Sequence, residues 1–283
     1  MTDPSTLQRV AETARTWLFV PGNRPERFDK AAVAGADVVI LDLEDAVAPS
    51  DKDAARERVA AWLTGSPVPC AVRVNAAGTD WHLADLDAVA ATGPALVMLP
   101  KADGAEVVAR VLDALPHGSA IVALVESARG VLGAADLARA PGVARLAFGS
   151  YDLAAELGVD PDHAPALTGA RSALVLAAAA AGLNGPVDGV TGDVRDSARL
   201  TADVAAAAAL GFTGKLCVHP SQVAPSAAAL APTREESAWA ERVLAAVDER
   251  SDGVVLVDGR MVDAPVVARA RRIRATTASP GTP

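Results

Sequence analysis

The chain has 283 residues and a net charge of −9, and 51% of its residues are apolar although only 3% are aromatic. This length suits one large domain with a core of small aliphatic side chains, and the negative charge argues against general nucleic-acid binding, which needs a basic surface. No uninterrupted apolar stretch reaches the about 18 residues of a membrane span, and the start MTDPSTLQRV lacks the order of a signal peptide. We therefore expect a cytoplasmic protein that binds neither membrane nor nucleic acid.

Eight short runs rich in β-branched and aliphatic residues alternate with longer amphipathic segments. They are TWLFVPG from Thr16, DVVILDLED from Asp37, CAVRVN from Cys70, LVMLPKA from Leu96, AIVALVES from Ala120, RLAFGS from Arg145, GPVDGV from Gly185 and GKLCVHP from Gly214. Most begin roughly 20–30 residues apart, the length of one strand–helix unit. Near-continuous apolar runs are typical of parallel strands covered by helices. Eight such units predict an α/β fold, a (β/α)₈ TIM barrel over residues 1–225.

A C-terminal appendage with helices and a hairpin is predicted for residues 226–275. Glu235 to Arg250 has a helical pattern, and VVLVDGRMVD predicts a hairpin that turns at Asp258 and Gly259. A last helix follows Pro265 and extends to about Arg274, and we expect residues 276–283 to be a disordered tail. Such an appendage could cap its own active site or that of a neighbouring subunit.

Polar side chains collect where the predicted strands end, which is where TIM barrels carry their active sites. Because alternate residues of a strand face one side, Asp42 should share a face with Glu44, and Arg73 with Asn75. The next strands end in Lys101, Glu126 and the segment that contains Asp152. Clustered charge at the end of an apolar sheet is costly unless it is paired, hydrated or metal-bound. A structural ion-pair network is the alternative for Asp42 and Lys101.

Glu126 and Asp152, at neighbouring strand ends, suggest a magnesium site. Mg²⁺ prefers oxygen ligands and often takes only one or two protein carboxylates. Such a metal could chelate a 2-keto acid and stabilise an enolate, and Arg73 could bind a substrate carboxylate bidentately. Zinc is disfavoured because the four histidines show no ligand spacing. Cys70 and Cys217 lie in apolar runs and are expected to be buried, reduced thiols.

Seven segments, in order along nearly the whole chain, resemble one enzyme family. They are LFVPGNRPERF from Leu18, GADVVILDLEDAV from Gly35, VRVN from Val72, LPKA from Leu99, ESARGV from Glu126, FGSYDLAAELG from Phe148 and VHPSQV from Val218. The chain resembles the citrate lyase beta-subunit-like (HpcH/HpaI aldolase/citrate lyase) family, in the acyl-CoA lyase branch of the phosphoenolpyruvate-binding barrels. The resemblance implies a TIM barrel assembled as a homotrimer or hexamer, with Mg²⁺ as cofactor and a coenzyme A thioester as substrate.

The resemblance also assigns roles to residues of this chain. It implies Glu126 and Asp152 as magnesium ligands, with Glu126, Arg73, Gly149 and Ser150 around the keto acid and Arg24, Arg27 and Lys30 facing the phosphates of coenzyme A. Asp263 matches a proton-transfer residue that a neighbouring subunit supplies in some members, and Glu44 and Asp45 are further candidate catalytic carboxylates. From the residues alone, Arg24 and Arg27 suit a solvated loop, and Asp263 suits a helix cap. Tyr151 departs from the family, where an acidic residue is common.

The function expected from this resemblance is magnesium-dependent cleavage of a carboxylated 3-hydroxyacyl-CoA into an acyl-CoA and a keto acid. Citryl-, malyl-, citramalyl- and hydroxymethylglutaryl-CoA all fit. A metal-dependent aldolase acting on free 2-keto acids is one alternative, although Asp45 stands where that group commonly has a histidine. A Schiff-base aldolase that uses Lys101 is another. The chain could also be a citrate lyase beta subunit that works only in a complex.

Overall fold

The computed structural model describes residues 4–248 and 255–278, and the chain divides into two compact units between Ser226 and Ala227. The strands of the first unit are β1 Thr16–Pro21, β2 Val38–Asp42, β3 Cys70–Arg73, β4 Leu96–Leu99, β5 Ala120–Val125, β6 Val143–Phe148, β7 Val187–Asp188 and β8 Gly214–Cys217. Its helices are α1 Pro4–Thr13, α2 Phe28–Ala32, α3 Lys52–Leu63, α4 His82–Ala90, α5 Ala105–Asp113, α6 Ala128–Leu132, α7 Ala134–Arg139, α8 Ser150–Leu157, α9 Ala164–Ala180 and α10 Ser197–Leu210. α11 spans Val223–Leu230, across the division.

All eight strands are parallel and close into a barrel in chain order, with β8 paired to β1. The predicted TIM barrel is therefore confirmed. Seven of the eight predicted runs contain one of its strands, and the sixth overlaps β6, which begins two residues before the predicted Arg145. Strand alternation separates two apolar cores, one inside the barrel and one between the barrel and its helices. Ile40, Ala71 and Leu124 belong to the inner core. Two residues further along the same faces lie Asp42, Arg73 and Glu126, so the alternation that fills the barrel also directs charge to its mouth.

The N-terminal end of the barrel is closed by α1 together with a buried arginine. Leu7 and Ala11 of α1 join the inner core. Arg145 of β6 is only 1% exposed, and its Nη1 lies 2.8–2.9 Å from the carbonyl oxygens of Ala11, Glu12 and Ala14. Its Nε donates to the carbonyl of Gly185 at 2.8 Å, and its Nη2 donates to Thr213 Oγ1 at 2.6 Å. One guanidinium thus binds the end of α1 to the bases of β7 and β8.

We expect Arg145→Met to lower the free energy of unfolding by about 3–5 kcal/mol, because it removes at once the five hydrogen bonds that one buried guanidinium donates. Urea denaturation of the full chain measures the change. Arg139→Ala is the control, since Arg139 is exposed on α7, where it forms a surface ion pair with Asp136 and a long hydrogen bond of 3.3 Å to the Ala135 carbonyl. That variant should stay within about 0.5 kcal/mol of wild type. A loss below 1 kcal/mol for Arg145→Met would contradict this role.

Beyond the end of α11, the described residues of the second unit form two helices and the predicted hairpin. Its elements are α12 Arg234–Asp248, β9 Val255–Val257, β10 Arg260–Val262 and α13 Ala264–Ala278. The strands are antiparallel, and the φ angles of Asp258 and Gly259 are +51° and +74°, as a tight two-residue turn requires. The hairpin and its turn are therefore confirmed, and α12 begins one residue before the predicted Glu235. Residues 249–250 of that predicted helix and residue 254 of the predicted hairpin segment lie outside the described residues.

The last helix is longer than predicted. α13 continues to Ala278, four residues past Arg274, so the prediction of a disordered tail was wrong for residues 276–278, and residues 279–283 lie outside the described part of the chain. The hydroxyls of Thr276 and Thr277 donate to the carbonyls of Arg272 and Ile273 at 3.0 Å. Ile273 also packs against the apolar core of this unit. These contacts continue the helix past its predicted end at Arg274.

Both cysteines are free thiols. Cys217 is buried as expected, whereas Cys70 is half-buried. Burial raises the pKa of the Cys70 thiol to about 11, which keeps it in its unreactive protonated form at neutral pH. Among the helices that the structure describes, none has the length and apolar character needed to cross a membrane.

Candidate active site

A buried arginine organises the carboxylates that follow β2. Asp42 accepts hydrogen bonds from Arg73 Nε at 2.7 Å and from Arg73 Nη2 at 2.6 Å. Arg73 Nη1 lies 3.2 Å from Glu44 Oε2 and 3.6 Å from Asp45 Oδ2, and the guanidinium lies over the Phe19 ring at 4.8 Å. Burial disfavours the charged guanidinium, but the three carboxylates outweigh it and raise the pKa of Arg73 above its ordinary value.

This geometry limits how Arg73 could bind a substrate. The edge formed by Nε and Nη2 is already bound bidentately to Asp42, which was predicted only as a mouth residue or an ion-pair partner. Asp42 also accepts the backbone N–H of Glu44 at 2.9 Å and thereby shapes the loop after β2. Asp42 is thus a structural ion-pair partner, and Nη1 is the part of Arg73 that points toward Glu44 and Asp45.

Lys101 links the carboxylates of three strand ends. Its Nζ donates to Glu44 Oε1 at 3.1 Å and lies 3.8 Å from Asp152 Oδ1. Its backbone N–H donates to Glu126 Oε1 at 2.9 Å, and its φ of +48° lies in the left-handed region. Partial burial lowers the pKa of Lys101, but the charges of Glu44, Glu126 and Asp152 outweigh it and raise that pKa overall. The ammonium form is therefore favoured, which argues against Lys101 as a Schiff-base nucleophile.

Glu44 and Glu126 are buried carboxylates within electrostatic reach of one another. Burial raises the pKa of Glu44, although Arg73 offsets part of this effect. Glu44 Oε2 is buried, and although Arg73 Nη1 lies 3.2 Å away as an ion-pair partner, no group among the described residues donates a hydrogen bond of good geometry to it. Burial raises the pKa of Glu126 to about 8, and the charges of Glu44 and Asp152 add to the shift. The cluster therefore has more negative charge than its neighbouring cations satisfy.

The end of β6 brings Gly149, Ser150 and Asp152 to the same place. The backbone N–H of Gly149 donates to the carbonyl of Val125 at 3.0 Å, and a Cβ on Gly149 would overlap the Glu126 side chain. Only glycine leaves room for that carboxylate. Ser150 is buried at the start of α8, and Asp152 lies in the first turn with 42% of its side chain exposed. Asp152 thus faces the solvent at the mouth while Glu126 lies beneath it.

Two groups of predicted residues have contacts of their own outside this cluster. Arg24, Arg27 and Lys30 are exposed in the segment that follows β1, and Arg24 Nε lies 2.6 Å from Glu26 Oε1. Asp263 belongs to the second unit, where its Oδ1 accepts the backbone N–H of Val266 at 3.1 Å. This is a helix N-cap on α13, the alternative that the residues alone had suggested.

Lys52 and Asp85 were not predicted as site residues, and Asn75 does not share the surroundings of Arg73. Asn75 Nδ2 donates to Asp85 Oδ2 at 2.6 Å, and Lys52 Nζ donates to Asn75 Oδ1 at 2.6 Å. Strand alternation fails here because β3 ends at Arg73. Lys52 did leave a signal in the sequence, since it lies on the buried face of α3 with Ala55 and Val59. A lysine on the apolar face of a helix is rarely buried without partners.

The donor set suits magnesium better than zinc. The charged oxygens at the mouth come from Glu44, Glu126 and Asp152, and Mg²⁺ takes one or two such carboxylates together with water and substrate oxygens. Among the described residues, no group of three or more His, Cys, Asp or Glu side chains is arranged to hold a metal. A site that is completed by water and substrate therefore fits these residues, and a closed all-protein cage does not.

Residues 15–220 match the model of the HpcH/HpaI aldolase/citrate lyase family. The chain belongs to this family. The match covers all eight barrel strands and the mouth residues from Glu44 to Asp152. The resemblance given by the seven segments is thereby confirmed.

Individual relatives extend the similarity to 90–95% of the chain. A citrate lyase subunit beta-like protein of Mycobacterium tuberculosis is 43% identical over 264 residues, which cover 90% of this chain and 92% of that protein. A (3S)-malyl-CoA thioesterase of Cereibacter sphaeroides is 35% identical over 277 residues, covering 94% and 95%. A crystal structure of a CitE protein of M. tuberculosis in complex with magnesium, acetoacetate and coenzyme A has a TM-score of 0.82 and 38% identity, and covers 95% of this chain and 100% of its own.

Proposed function

We propose that the protein is a magnesium-dependent carbon–carbon lyase, which cleaves a carboxylated 3-hydroxyacyl-CoA into an acyl-CoA and a keto acid. The observation that carries this proposal is the convergence of Glu44, Glu126 and Asp152 around Lys101 at the barrel mouth. The relative crystallised with magnesium, acetoacetate and coenzyme A supports the same ligand classes. The 43% identical citrate lyase beta-like relative supports the reaction class.

Glu126 and Asp152 are the residues that would hold the metal. When bound, Mg²⁺ would act as a Lewis acid toward the substrate's 3-oxygen and an adjacent carboxylate. Gly149 leaves the space in which the Glu126 carboxylate lies, and the first turn of α8 carries Asp152. The Gly149 N–H is already donated to the Val125 carbonyl, so the backbone N–H groups of the first turn of α8, which begins at Ser150, would be the ones to bind a substrate carboxylate.

Cationic side chains would orient the two ends of the substrate. Arg73 Nη1 faces the same space as Glu44 and would contact the keto-acid carboxylate by a single charge-assisted hydrogen bond. The exposed Arg24, Arg27 and Lys30, which follow β1, would attract the phosphates of coenzyme A despite the net charge of −9.

One of two carboxylates, Glu44 or Asp263, would move the proton. In cleavage, the base takes the 3-hydroxyl proton, the C3–O bond becomes a carbonyl, and the C2–C3 bond breaks. The electron pair of the broken C2–C3 bond moves to C2 and forms the thioester enolate. The enolate then gains a proton to give the acyl-CoA, and the keto acid leaves. Glu44 lies inside the mouth cluster. Asp263 would act on a neighbouring subunit of a homotrimer or hexamer.

Thioester hydrolysis is the second candidate function, since one relative at 35% identity is a (3S)-malyl-CoA thioesterase. The two reactions differ in the bond that breaks. A lyase releases a keto acid and keeps the thioester in its acyl-CoA product, whereas a thioesterase adds water to the thioester carbonyl and releases free coenzyme A with the intact hydroxy acid.

The test incubates the purified full chain with citryl-, malyl-, citramalyl- and hydroxymethylglutaryl-CoA, with and without Mg²⁺, and measures keto acid, acyl-CoA and free thiol. Equal amounts of keto acid and acyl-CoA from one thioester, formed only with Mg²⁺, support the lyase. Free coenzyme A without keto acid supports the thioesterase. If no thioester reacts, cleavage of free hydroxy-keto acids tests the aldolase alternative, and activity that needs added partner proteins would point to a complex subunit.

Gly149→Ala is expected to lower kcat by about 100-fold, because its Cβ would displace the Glu126 carboxylate by an ångström or more. Gly169→Ala is the matched control. Gly169 lies in the exposed middle of α9 with open space around it, so this variant should keep full activity and gain about 0.5–1 kcal/mol of stability. Steady-state rates and urea denaturation measure both effects. Full activity in Gly149→Ala would contradict the position given to Glu126.

A further inference from the structure

Lys52 is a buried lysine for which the proposed reaction has no role so far. It begins α3 and is 5% exposed. Its ammonium donates to the carbonyl oxygens of Leu43 and Glu44, each at 2.7 Å, and to Asn75 Oδ1 at 2.6 Å. These three bonds use all three protons of the ammonium group. Within the described residues, no salt bridge joins Lys52 to a carboxylate, and the Trp81 ring lies 5.2 Å from Nζ.

Buried ammonium groups are usually paired with carboxylates, because taking an unpaired charge out of water is costly. Here the acceptors are two consecutive backbone carbonyls and one amide oxygen. Charge-assisted hydrogen bonds of this kind are about twice as strong as neutral ones. The arrangement therefore stabilises one particular backbone path, in which the carbonyls of Leu43 and Glu44 both turn toward α3.

That backbone path carries the candidate catalytic carboxylates. The Glu44 carbonyl belongs to the peptide bond between Glu44 and Asp45, so its orientation sets the directions in which both side chains leave the loop. Glu44 Oε1 then meets Lys101 Nζ at 3.1 Å, and Glu44 Oε2 lies 3.2 Å from Arg73 Nη1. A loop that relaxed by one ångström would lose both contacts.

Asn75 extends the same network to the strand that carries Arg73. Its Nδ2 donates to the Leu43 carbonyl at 2.9 Å and to Asp85 Oδ2 at 2.6 Å. Asp85 is held in turn by Arg56 Nε at 2.8 Å. Lys52 and Asn75 thus tie the loop after β2 to the end of β3, which fixes the separation of Glu44 from Arg73.

We propose that Lys52 is a positioning residue for the lyase reaction, which places the Glu44 and Asp45 carboxylates against Arg73 and Lys101 without touching the substrate. The effect of Lys52 on catalysis rests on the proposed function. The placement of the loop after β2 rests only on the contacts of Lys52. It differs from a merely structural role because the loss of Lys52 should affect the chemical step more than folding or substrate binding.

The first test measures kcat and KM of Lys52→Met in the full chain with Mg²⁺ and the thioester that wild type cleaves best. We expect kcat to fall about 10- to 100-fold, as for a catalytic group displaced by about one ångström, while KM changes less than about threefold. Arg145→Met is the matched control, since it removes another buried cation at the opposite end of the barrel. That variant should be less stable than wild type, but its kcat per folded molecule should equal that of wild type.

The second test is a crystal structure of Lys52→Met, in which the contact between Glu44 Oε1 and Lys101 Nζ should be lost or lengthened by at least one ångström. If Lys52→Met does not fold, Lys52→Gln is measured by the same two tests and judged by the same criteria, since its shorter side chain carries only two donor protons and cannot make all three bonds of the ammonium group. An unchanged Glu44 position, or a kcat that falls only with the folded fraction, would overturn the proposal. If wild type cleaves no thioester, the proposed function fails, and the crystal structure alone decides the role of Lys52.

Discussion

Glu126→Gln is expected to lower kcat/KM for the thioester by a factor on the order of 10³, because an amide cannot replace the carboxylate that a magnesium ion requires. Asp152→Asn should have a similar direction of effect. Each amide has nearly the same shape as the carboxylate that it replaces. Removing one of three neighbouring carboxylates also relieves like-charge repulsion. Urea denaturation should therefore place the Glu126→Gln protein within about 1 kcal/mol of wild type.

The control for this pair is Glu57→Gln, which removes one negative charge from the exposed face of α3. It should leave kcat/KM within a factor of about two, since surface substitutions away from a site have small effects. Higher magnesium concentrations should restore part of the activity of Asp152→Asn, because Glu126 still provides a ligand. Glu126→Gln activity within tenfold of wild type at saturating Mg²⁺ would contradict the assignment of this residue.

The second large effect concerns the proton. Either Glu44 or Asp263 transfers the proton. Replacing the transferring residue by its amide should lower kcat by about 10²- to 10⁴-fold, which is the usual contribution of general acid–base catalysis. Asn remains a good helix cap, so Asp263→Asn should keep the N-terminus of α13 folded. Near-normal kcat in both Glu44→Gln and Asp263→Asn would contradict the mechanism.

Mixed oligomers separate the two candidates. If Asp263 acts on a neighbouring subunit, Asp263→Asn chains and Glu126→Gln chains can together form a site with an intact Glu126 from one chain and an intact Asp263 from the other. Refolding an equal mixture should then recover a substantial fraction of wild-type activity. A mixture as inactive as its components would contradict transfer between subunits and leave Glu44 as the proton-transfer group.

The barrel and its charged mouth follow from local sequence patterns. Eight apolar runs at regular spacing predict the strands, and alternation along β2 and β3 places Asp42 and Arg73 beyond the inner core. The clustering of Glu44, Glu126 and Asp152 follows because parallel strands end at one rim of the barrel. These features depend on two repeats that are visible in the sequence. Side chains alternate between faces every two residues, and strand–helix units follow one another along the chain.

The features that the sequence did not predict depend on contacts between distant segments. Arg145 looks like the start of a strand, and nothing near it indicates that its partners lie at the end of α1 and beside β8. Lys52 acquires its role from carbonyls of the preceding loop and from Asn75, which follows the end of β3. β3 ends at Arg73, so the alternation of side chains between the two faces of the strand does not extend to Asn75. The Asn75 side chain instead contacts Lys52 of α3 and Asp85 of α4. The thioester itself is not encoded in such patterns, since about 1–3 kcal/mol of pocket contacts separates neighbouring acyl chains.

The central claim is that Glu126 and Asp152 hold the divalent ion, and a titration with Mn²⁺, a spectroscopic substitute for Mg²⁺, tests it without relying on turnover. Electron paramagnetic resonance of the full chain, with a keto acid present, reports how much Mn²⁺ remains free. One bound ion per chain is expected in wild type and in Glu57→Gln, displaceable by Mg²⁺, with binding weakened at least about tenfold in Glu126→Gln and in Asp152→Asn. Equal Mn²⁺ binding in wild type and in both site variants would contradict the account.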